Sequence, residues 1–172
     1  MSQDWRIDPV HSTILKDLLV DFDNGKELKI LDLGSGRTSL SFLTNLFKNS
    51  IINAIIYPGD ERKKTGIINN VKANNYVLEE IDINNCVQKS EFDIVLAHLF
   101  LGEAKKFSKE PFSKTLDSLF KIRTKYLAIV EIANDPSVDY ALLSEYMNKD
   151  CKIIKNTKEE EYIGFLIQKN LL

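Results

Sequence analysis

The sequence predicts a single three-layer α/β domain, in which a mostly parallel β-sheet is covered by helices on both faces. Two observations lead to this prediction. From residue 28 to residue 148, apolar runs of strand length alternate with amphipathic helical stretches, an order typical of parallel strands joined by crossover helices. The last two apolar runs are joined by only a short polar loop, which suits an antiparallel hairpin and is too short for a parallel crossover.

Composition places few constraints on function but excludes several classes. The 172 residues are 44% hydrophobic and 28% charged, with a net charge of −2, so no overall basic field favours binding to nucleic acid or membranes. The first residues are polar and lack the apolar core of a signal peptide, so we expect none, and no apolar run is long enough to cross a bilayer. Cys86 and Cys151 are far apart and only two histidines occur, so we expect reduced thiols in a cytoplasmic protein and no metal site.

Each predicted element follows from the spacing of apolar residues and from turn signals. Strands are expected at residues 28–33, 53–57, 76–81, 92–100, 126–132, 151–155 and 162–168. Helices are expected near residues 9–22, 38–48, 61–73, 111–123 and 138–148. The strand ending near residue 100 is expected to continue into a loop.

The most informative stretch is the junction between the first strand and the helix that follows it. An apolar run from Leu28 to Leu33 breaks at Gly34-Ser35-Gly36, and a helix begins near Thr38. Glycines permit a tight turn and a close ligand approach, because they carry no Cβ atom. The helix start adds unpaired N–H groups and the positive end of a dipole. The turn therefore either opens a nucleotide-binding unit or simply connects a strand to a helix.

The sequence Asp-Leu-Gly-Ser-Gly, beginning at Asp32, resembles motif I of class I S-adenosylmethionine (SAM) dependent methyltransferases. The resemblance covers residues 10–169 and implies a Rossmann-like, seven-stranded sheet whose last strand is antiparallel. Residues 26–169 would form the SAM-binding core, and the helix within residues 1–25 would border the substrate cleft or simply cap the sheet. Dinucleotide-binding enzymes are near competitors, but their fingerprint requires a third glycine where Ser39 stands.

The resemblance also implies the cofactor contacts. Motif I would hold the methionine end of SAM, because a carboxylate can bind its ammonium group. An acid after the third strand would accept a hydrogen bond from the adenine amino group. The implied contacts are Asp32, Gly34, Ser35 and Gly36 on the methionine side, and Asp82 and Ile83 on the adenine side.

The residue that would hold the ribose departs from the family pattern. An acid is expected near Ile56 or Tyr57, because a carboxylate can accept hydrogen bonds from both ribose hydroxyls. The nearest acids come later, at Asp60 and Glu61. We assign the ribose to Asp60, with a tyrosine hydroxyl, a backbone group or a plain turn residue as the alternatives.

The segment after the fourth strand holds the candidate catalytic residue. In the family this segment borders both SAM and the acceptor, so His98 is expected beside the cofactor. The ordinary pKa of histidine suits a general base near neutral pH. Glu103 is a second candidate, and simple packing is an alternative role for His98. The segment lacks the motifs of amino-group DNA methylation and of cytosine C5 methylation.

Glu131 lies inside an apolar strand, and burial of its charge would be costly without a partner. The sequence leaves open whether that partner is a cationic substrate or a side chain such as Lys125, and we favour a structural role.

These observations predict a SAM-dependent methyltransferase that modifies an oxygen or nitrogen of an unidentified acceptor. A small-molecule acceptor is expected, since little sequence remains for a separate substrate domain; the assembly is left open and includes a homodimer. The alternative is a non-catalytic binding or interaction module with the SAM fold. A nicotinamide-dependent oxidoreductase is a weaker third hypothesis.

Overall fold

A computed structural model of the chain describes residues 9–83 and 90–170, and it contains seven strands and six helices within those ranges. The strands are β1 (Ile30–Leu33), β2 (Ile52–Ile56), β3 (Tyr76–Glu80), β4 (Glu91–His98), β5 (Arg123–Ile132), β6 (Cys151–Glu159) and β7 (Tyr162–Lys169). The helices are α1 (Pro9–Leu19), α2 (Arg37–Leu46), α3 (Glu61–Asn70), α4 (Phe100–Phe107), α5 (Phe112–Lys121) and α6 (Tyr140–Asn148).

The strands form one sheet in the order β3-β2-β1-β4-β5-β7-β6. The first five strands pair in parallel, whereas β7 runs antiparallel to both β5 and β6. The predicted seven-stranded α/β sheet with an antiparallel last strand is therefore confirmed. The chain order reverses between β1 and β4, and in open α/β sheets ligands bind at such a switch point, beyond the carboxyl ends of the strands.

Alternating side chains along the central strands produce two cores, one on each face of the sheet. Leu31 and Val95 pack on the face that is covered by α4, α5 and α6. Ile30 and Ile94 pack on the opposite face, which is covered by α1, α2 and α3. The near-continuous apolar runs of β1 and β4 follow from this burial on both faces.

The segment after β4 differs from the prediction. Instead of a loop, α4 begins at Phe100, and Leu99 is held in the left-handed region at φ +53° just before it. A bulky residue rarely adopts this conformation, which costs about 1–3 kcal/mol. The abrupt turn is stabilised by the Leu99 N–H, which donates to the Val130 carbonyl at 2.7 Å. No turn residue marks this position in the sequence, so the helix was not predicted.

Several smaller points complete the comparison. Helix α1 ends at Leu19 rather than near Phe22. Cys151 carries a free thiol and is partly buried, whereas Cys86 and the N-terminal segment before Pro9 lie outside the described residues. In the part of the chain that the structure describes, no helix is both long and apolar enough to cross a lipid bilayer.

Candidate active site

The glycine turn at the end of β1 forms the floor of a cleft at the switch point of the sheet. Gly34 has φ +63°, and a Cβ atom built on it would lie 2.9 Å from Cδ2 of Phe100. Glycine is therefore required here both by the backbone conformation and by the approach of α4. Gly36 differs, because a Cβ atom at that position would meet nothing within 4 Å. Its open surroundings leave space beside the first turn of α2.

Asp32 lies beneath this turn and is fully buried. Its Oδ2 accepts hydrogen bonds from the hydroxyls of Ser35 at 2.5 Å and Ser39 at 2.8 Å. Ser39 also accepts from the Gly36 N–H at 3.2 Å, so the residue in place of a third glycine ties the turn to the acid. Burial raises the pKa of Asp32 to about 6, and the two hydroxyls and Lys63 oppose that rise. The other oxygen, Oδ1, is buried with no hydrogen-bond partner among the described residues.

Lys63 was not predicted, and it makes the main polar contact above the turn. Its ammonium donates to the Gly34 carbonyl at 2.7 Å and forms an ion pair with Glu103. The Lys63 side chain is only 14% exposed, so it fills part of the cleft rather than extending into solvent. Arg62, which is largely exposed, adds a second contact to Glu103 at 3.4 Å. The carbonyl of the glycine turn is therefore already bound to an ammonium group.

His98 ends β4 at the side of the same cleft and is 7% exposed. Its Nε2 lies 2.7 Å from Nδ1 of His11, which α1 contributes from 87 residues away. The His11 ring in turn lies 4.3 Å from the ring of Tyr162, measured between centroids. Burial, His11 and Lys63 together lower the pKa of His98 to about 3. His98 is thus a neutral imidazole at physiological pH.

The residues assigned to the ribose and adenine do not line this cleft. Asp60 is the N-cap of α3 and accepts from the Lys63 N–H at 3.2 Å. Asp82 and Ile83 follow β3, and Ile83 is buried in the core. The Tyr57 hydroxyl is buried with no hydrogen-bond partner among the described residues, and its pKa is raised by burial and by Asp82. The cofactor roles of the three predicted residues stay predictions.

The cleft itself has a volume of about 370 Å³, which is within the range of small-ligand sites. Of the predicted site residues, Gly34, Gly36 and His98 line it, whereas Asp32 and Ser35 support the turn from below. The remaining lining residues are His11, Arg37, Thr38, Arg62, Lys63, Gly66, Leu99 and Glu103. The structure thus joins motif I to residues of α1, α3 and α4.

Among the described residues Glu131 pairs with backbone N–H groups and not with Lys125, which fits the structural role favoured from the sequence. Its carboxylate accepts hydrogen bonds from the backbone N–H groups of Leu101, at 2.6 Å, and Gly102, at 3.4 Å. Burial raises the pKa of Glu131 to about 8, with smaller contributions from Asp135 and Glu103, while the two N–H groups oppose the rise. Glu131 therefore holds the first turn of α4 on the edge of the cleft.

His11 and Lys63 are among the cleft residues that reasoning from the sequence missed. A signal for His11 existed, because it is one of only two histidines in the chain and lies on a helix expected to border the cleft. Lys63 gave no such signal, since it follows the N-cap of α3 like any solvated lysine. Only the packing of α3 beside the glycine turn directs it inward.

Comparison with known proteins gives structural likeness alone. No protein-family model and no curated protein sequence matches the chain. Three solved structures illustrate the likeness. The fibrillarin pre-rRNA processing protein of Methanococcus jannaschii is 18% identical, over 95% of this chain and 76% of that chain, with a TM-score of 0.68. The mitomycin 7-O-methyltransferase MmcR is 12% identical, over 93% of this chain and 53% of that chain, with a TM-score of 0.64.

The third is the 16S rRNA methyltransferase RmtF in complex with S-adenosyl-L-homocysteine (SAH), which is 13% identical over 86% of this chain and 58% of that chain, with a TM-score of 0.56. The three structures share one architecture, although one is a mitomycin 7-O-methyltransferase and another a 16S rRNA methyltransferase. The strand order, the antiparallel β7 and these likenesses together show that the chain has the class I SAM-dependent methyltransferase fold.

Proposed function

We propose that the chain is a SAM-dependent methyltransferase that transfers a methyl group to an oxygen or nitrogen of a small-molecule acceptor. The observation that carries this proposal is the Gly34 carbonyl, which binds an ammonium group at 2.7 Å on the floor of the cleft. SAM has an ammonium group of the same chemical kind at its methionine end. The Gly34 carbonyl therefore offers the SAM ammonium a hydrogen-bond acceptor once Lys63 is displaced.

Several residues of the chain suit the rest of the cofactor. The Gly34 carbonyl would hold the ammonium, with buried Asp32 supplying negative charge below the turn. Helix α2 starts at the cleft, and the unpaired N–H groups of a helix N-terminus suit a carboxylate. Asp60, Asp82 and Ile83 remain the proposed contacts for the ribose and adenine. When bound, SAM supplies an electrophilic methyl group on a sulfonium sulfur.

His98 is the proposed proton acceptor for the nucleophile. Its low pKa means that the neutral, proton-accepting form is present throughout the physiological pH range. A weak base is sufficient here, because an oxygen or nitrogen that gains a methyl group becomes cationic and releases its proton readily. The remaining contribution of the site would be proximity and orientation of the acceptor.

A small-molecule acceptor is proposed because the cleft is modest in volume and is bounded by core elements of the fold, α1 and α4. Similar folds serve both a small-molecule O-methyltransferase and a 16S rRNA methyltransferase. The net charge of −2 gives no support to a nucleic-acid acceptor. A homodimer stays open within this proposal.

A second candidate function is a non-catalytic binding module, and Lys63 is the observation that favours it. The ammonium of Lys63 occupies the same carbonyl that a SAM ammonium would need, and Glu103 holds it there. If Lys63 is a permanent substitute for the ligand, the chain would keep the fold without binding the cofactor. The two candidates therefore differ over Lys63: SAM displaces it from the Gly34 carbonyl if the chain is a methyltransferase, whereas it stays bound there if the chain is a non-catalytic module.

Calorimetric titration with SAM and SAH separates these candidates. For a methyltransferase, we expect the wild-type chain to bind and Lys63→Met to bind about tenfold more tightly, because a hydrogen bond to a charged group contributes about 1.5–3 kcal/mol. Lys64→Met is the matched control, since Lys64 pairs with Glu80 and does not line the cleft. No binding by either the wild type or Lys63→Met would support the non-catalytic module.

Methyl transfer is then tested with SAM carrying a labelled methyl group. We expect label to enter a small-molecule fraction and not ribosomal RNA. Label in RNA alone would contradict the small-molecule acceptor while leaving the reaction class intact.

A further inference from the structure

The two histidines of the chain form a hydrogen-bonded pair at the cleft wall. His11 on α1 and His98 at the end of β4 approach to 2.7 Å between Nδ1 and Nε2, and their rings meet edge to face with centroids 4.8 Å apart. Both rings are at least 90% buried, and both line the cleft. Nothing in the family motif calls for this contact, because it joins motif-free α1 to β4.

The chemistry of imidazole limits what such a pair can do. A neutral imidazole has one nitrogen that donates and one that accepts. In the contact between the two rings, one ring therefore uses its donor nitrogen and the other uses its acceptor nitrogen. If His98 donates from Nε2, its Nδ1 carries the lone pair, whereas if His11 donates, the Nδ1 of His98 carries a proton and cannot accept one.

We propose that His11 is a positioning residue that accepts a hydrogen bond from the Nε2–H of His98 and so leaves the His98 Nδ1 lone pair as the proton acceptor of the cleft. The proposal rests on the proposed function in treating His98 as the base of methyl transfer. In the proposed step, the acceptor's O–H or N–H bond breaks, its proton passes to the His98 Nδ1, and the bonding electrons stay on the acceptor atom. Helix α1 is thereby part of the chemistry and not only a cap on the sheet.

The surroundings of His98 fit this assignment. The groups that face it are His11 from α1 and the Lys63 ammonium from α3, with Glu103 of α4 pairing Lys63, while Tyr162 of β7 packs on the far side of His11. Burial and the nearby cation both oppose protonation of His98, so the ring stays neutral and only one of its two nitrogens carries a proton. No hydrogen bond to the His98 Nδ1 occurs among the described residues, and His98 lines the cleft.

The chain is unusually well suited to a test by nuclear magnetic resonance, because it contains only two imidazoles. Long-range ¹H–¹⁵N spectra of the tag-free protein show which nitrogen of each ring carries the proton, and His98→Gln assigns the two sets of signals. We expect His98 in the wild type to be the Nε2–H tautomer and not to titrate between pH 5 and pH 8.

Two substitutions of His11 separate positioning from packing. His11→Asn places a carbonyl oxygen near the position of Nδ1 and should preserve the His98 tautomer. His11→Leu fills similar space without an acceptor, and the ratio of the two His98 tautomers should fall about fivefold, since one hydrogen bond contributes about 1 kcal/mol.

Two results would overturn the proposal: a wild-type His98 that carries its proton on Nδ1, or a folded His11→Leu variant with an unchanged ratio of His98 tautomers. The wild-type spectrum decides the first point even if His11→Leu fails to fold. Titration of the same samples with SAM keeps the two ideas apart. Absence of SAM binding with the expected tautomers would reject the proposed function alone, whereas SAM binding with the wrong tautomer would reject the role of His11 alone.

Discussion

Gly34 shows how a single residue serves both the fold and the cleft. Its positive φ turns the chain sharply after β1, and the ring of Phe100 lies against the position where any other residue would carry its Cβ atom. The same turn presents the Gly34 carbonyl to Lys63. The turn after β1, the packing of α4 and the contact with Lys63 therefore all depend on Gly34.

We therefore expect Gly34→Ala to destabilise the protein by about 1–3 kcal/mol, through backbone strain and the contact with Phe100. Gly36→Ala is the matched control, because its Cβ would meet nothing within 4 Å and its φ of −131° is open to any residue. Urea-induced unfolding of both variants measures the difference. Equal stability of the two variants would contradict the contact with α4.

The placement of helix α4 depends on a buried carboxyl group. Leu99 turns the chain into it at a strained φ of +53°, and Glu131 accepts the N–H groups of its first turn from the neighbouring strand. Those N–H groups would otherwise lack partners, as at any helix start. The position of Glu103 in the cleft therefore depends on a carboxyl group on β5.

This arrangement predicts a pH dependence of stability. Folding raises the pKa of Glu131 from 4.5 to about 8. The stability that Glu131 contributes to the folded protein is therefore fully present below pH 4.5 and is lost as the pH rises through 8. Glu131→Gln keeps one acceptor oxygen but cannot ionise. We expect the free energy of unfolding of Glu131→Gln, minus that of the wild type, to increase from pH 5 to pH 9.

Denaturant unfolding at several pH values, in one buffer system of constant ionic strength, measures this difference. Asp117→Asn serves as a control, because that acid forms its hydrogen bond with Tyr146 in a different part of the molecule. If the difference in free energy of unfolding between Glu131→Gln and the wild type stays constant from pH 5 to pH 9, folding does not raise the pKa of Glu131 and the prediction is wrong.

At the scale of the whole molecule, the cleft depends on α1 being seated across the antiparallel end of the sheet. Gly164 on β7 makes this possible, because a Cβ atom there would lie 3.0 Å from Leu18 and 3.1 Å from Ile14. The close approach of α1 to β7 brings His11 beside His98 and Tyr162. The C-terminal hairpin thus positions a residue from the start of the described chain.

Replacement of Gly164 by valine should force α1 away from the sheet and cost about 1–3 kcal/mol, as overpacking of a core generally does. We also expect the ratio of the two His98 tautomers to fall in Gly164→Val as it does in His11→Leu, because the 2.7 Å contact between His11 and His98 would lengthen. Gly66→Ala is the control for a glycine substitution in open space. An unchanged His98 spectrum in a destabilised Gly164→Val variant would show that α1 is held by other contacts.

The sequence by itself determined the architecture and the location of the turn. Strand and helix periodicity, the apolar runs of β1 and β4 and the short link before β7 depend on local spacing, which can be recognised without knowing the fold. The resemblance of Asp32–Gly36 to motif I likewise rests on one short stretch of chain. The structure confirmed the seven-stranded sheet that these local signals predicted.

Only the tertiary structure decided which side chains share the cleft. His11 meets His98 across 87 residues, and Lys63 reaches Gly34 across 29 residues. Helix α4 begins directly after the strained Leu99, at a position where no turn residue in the sequence marks a helix start. Such contacts follow from how helices pack on opposite faces of the sheet, and because they are non-local, no periodicity or spacing in one stretch of chain encodes them.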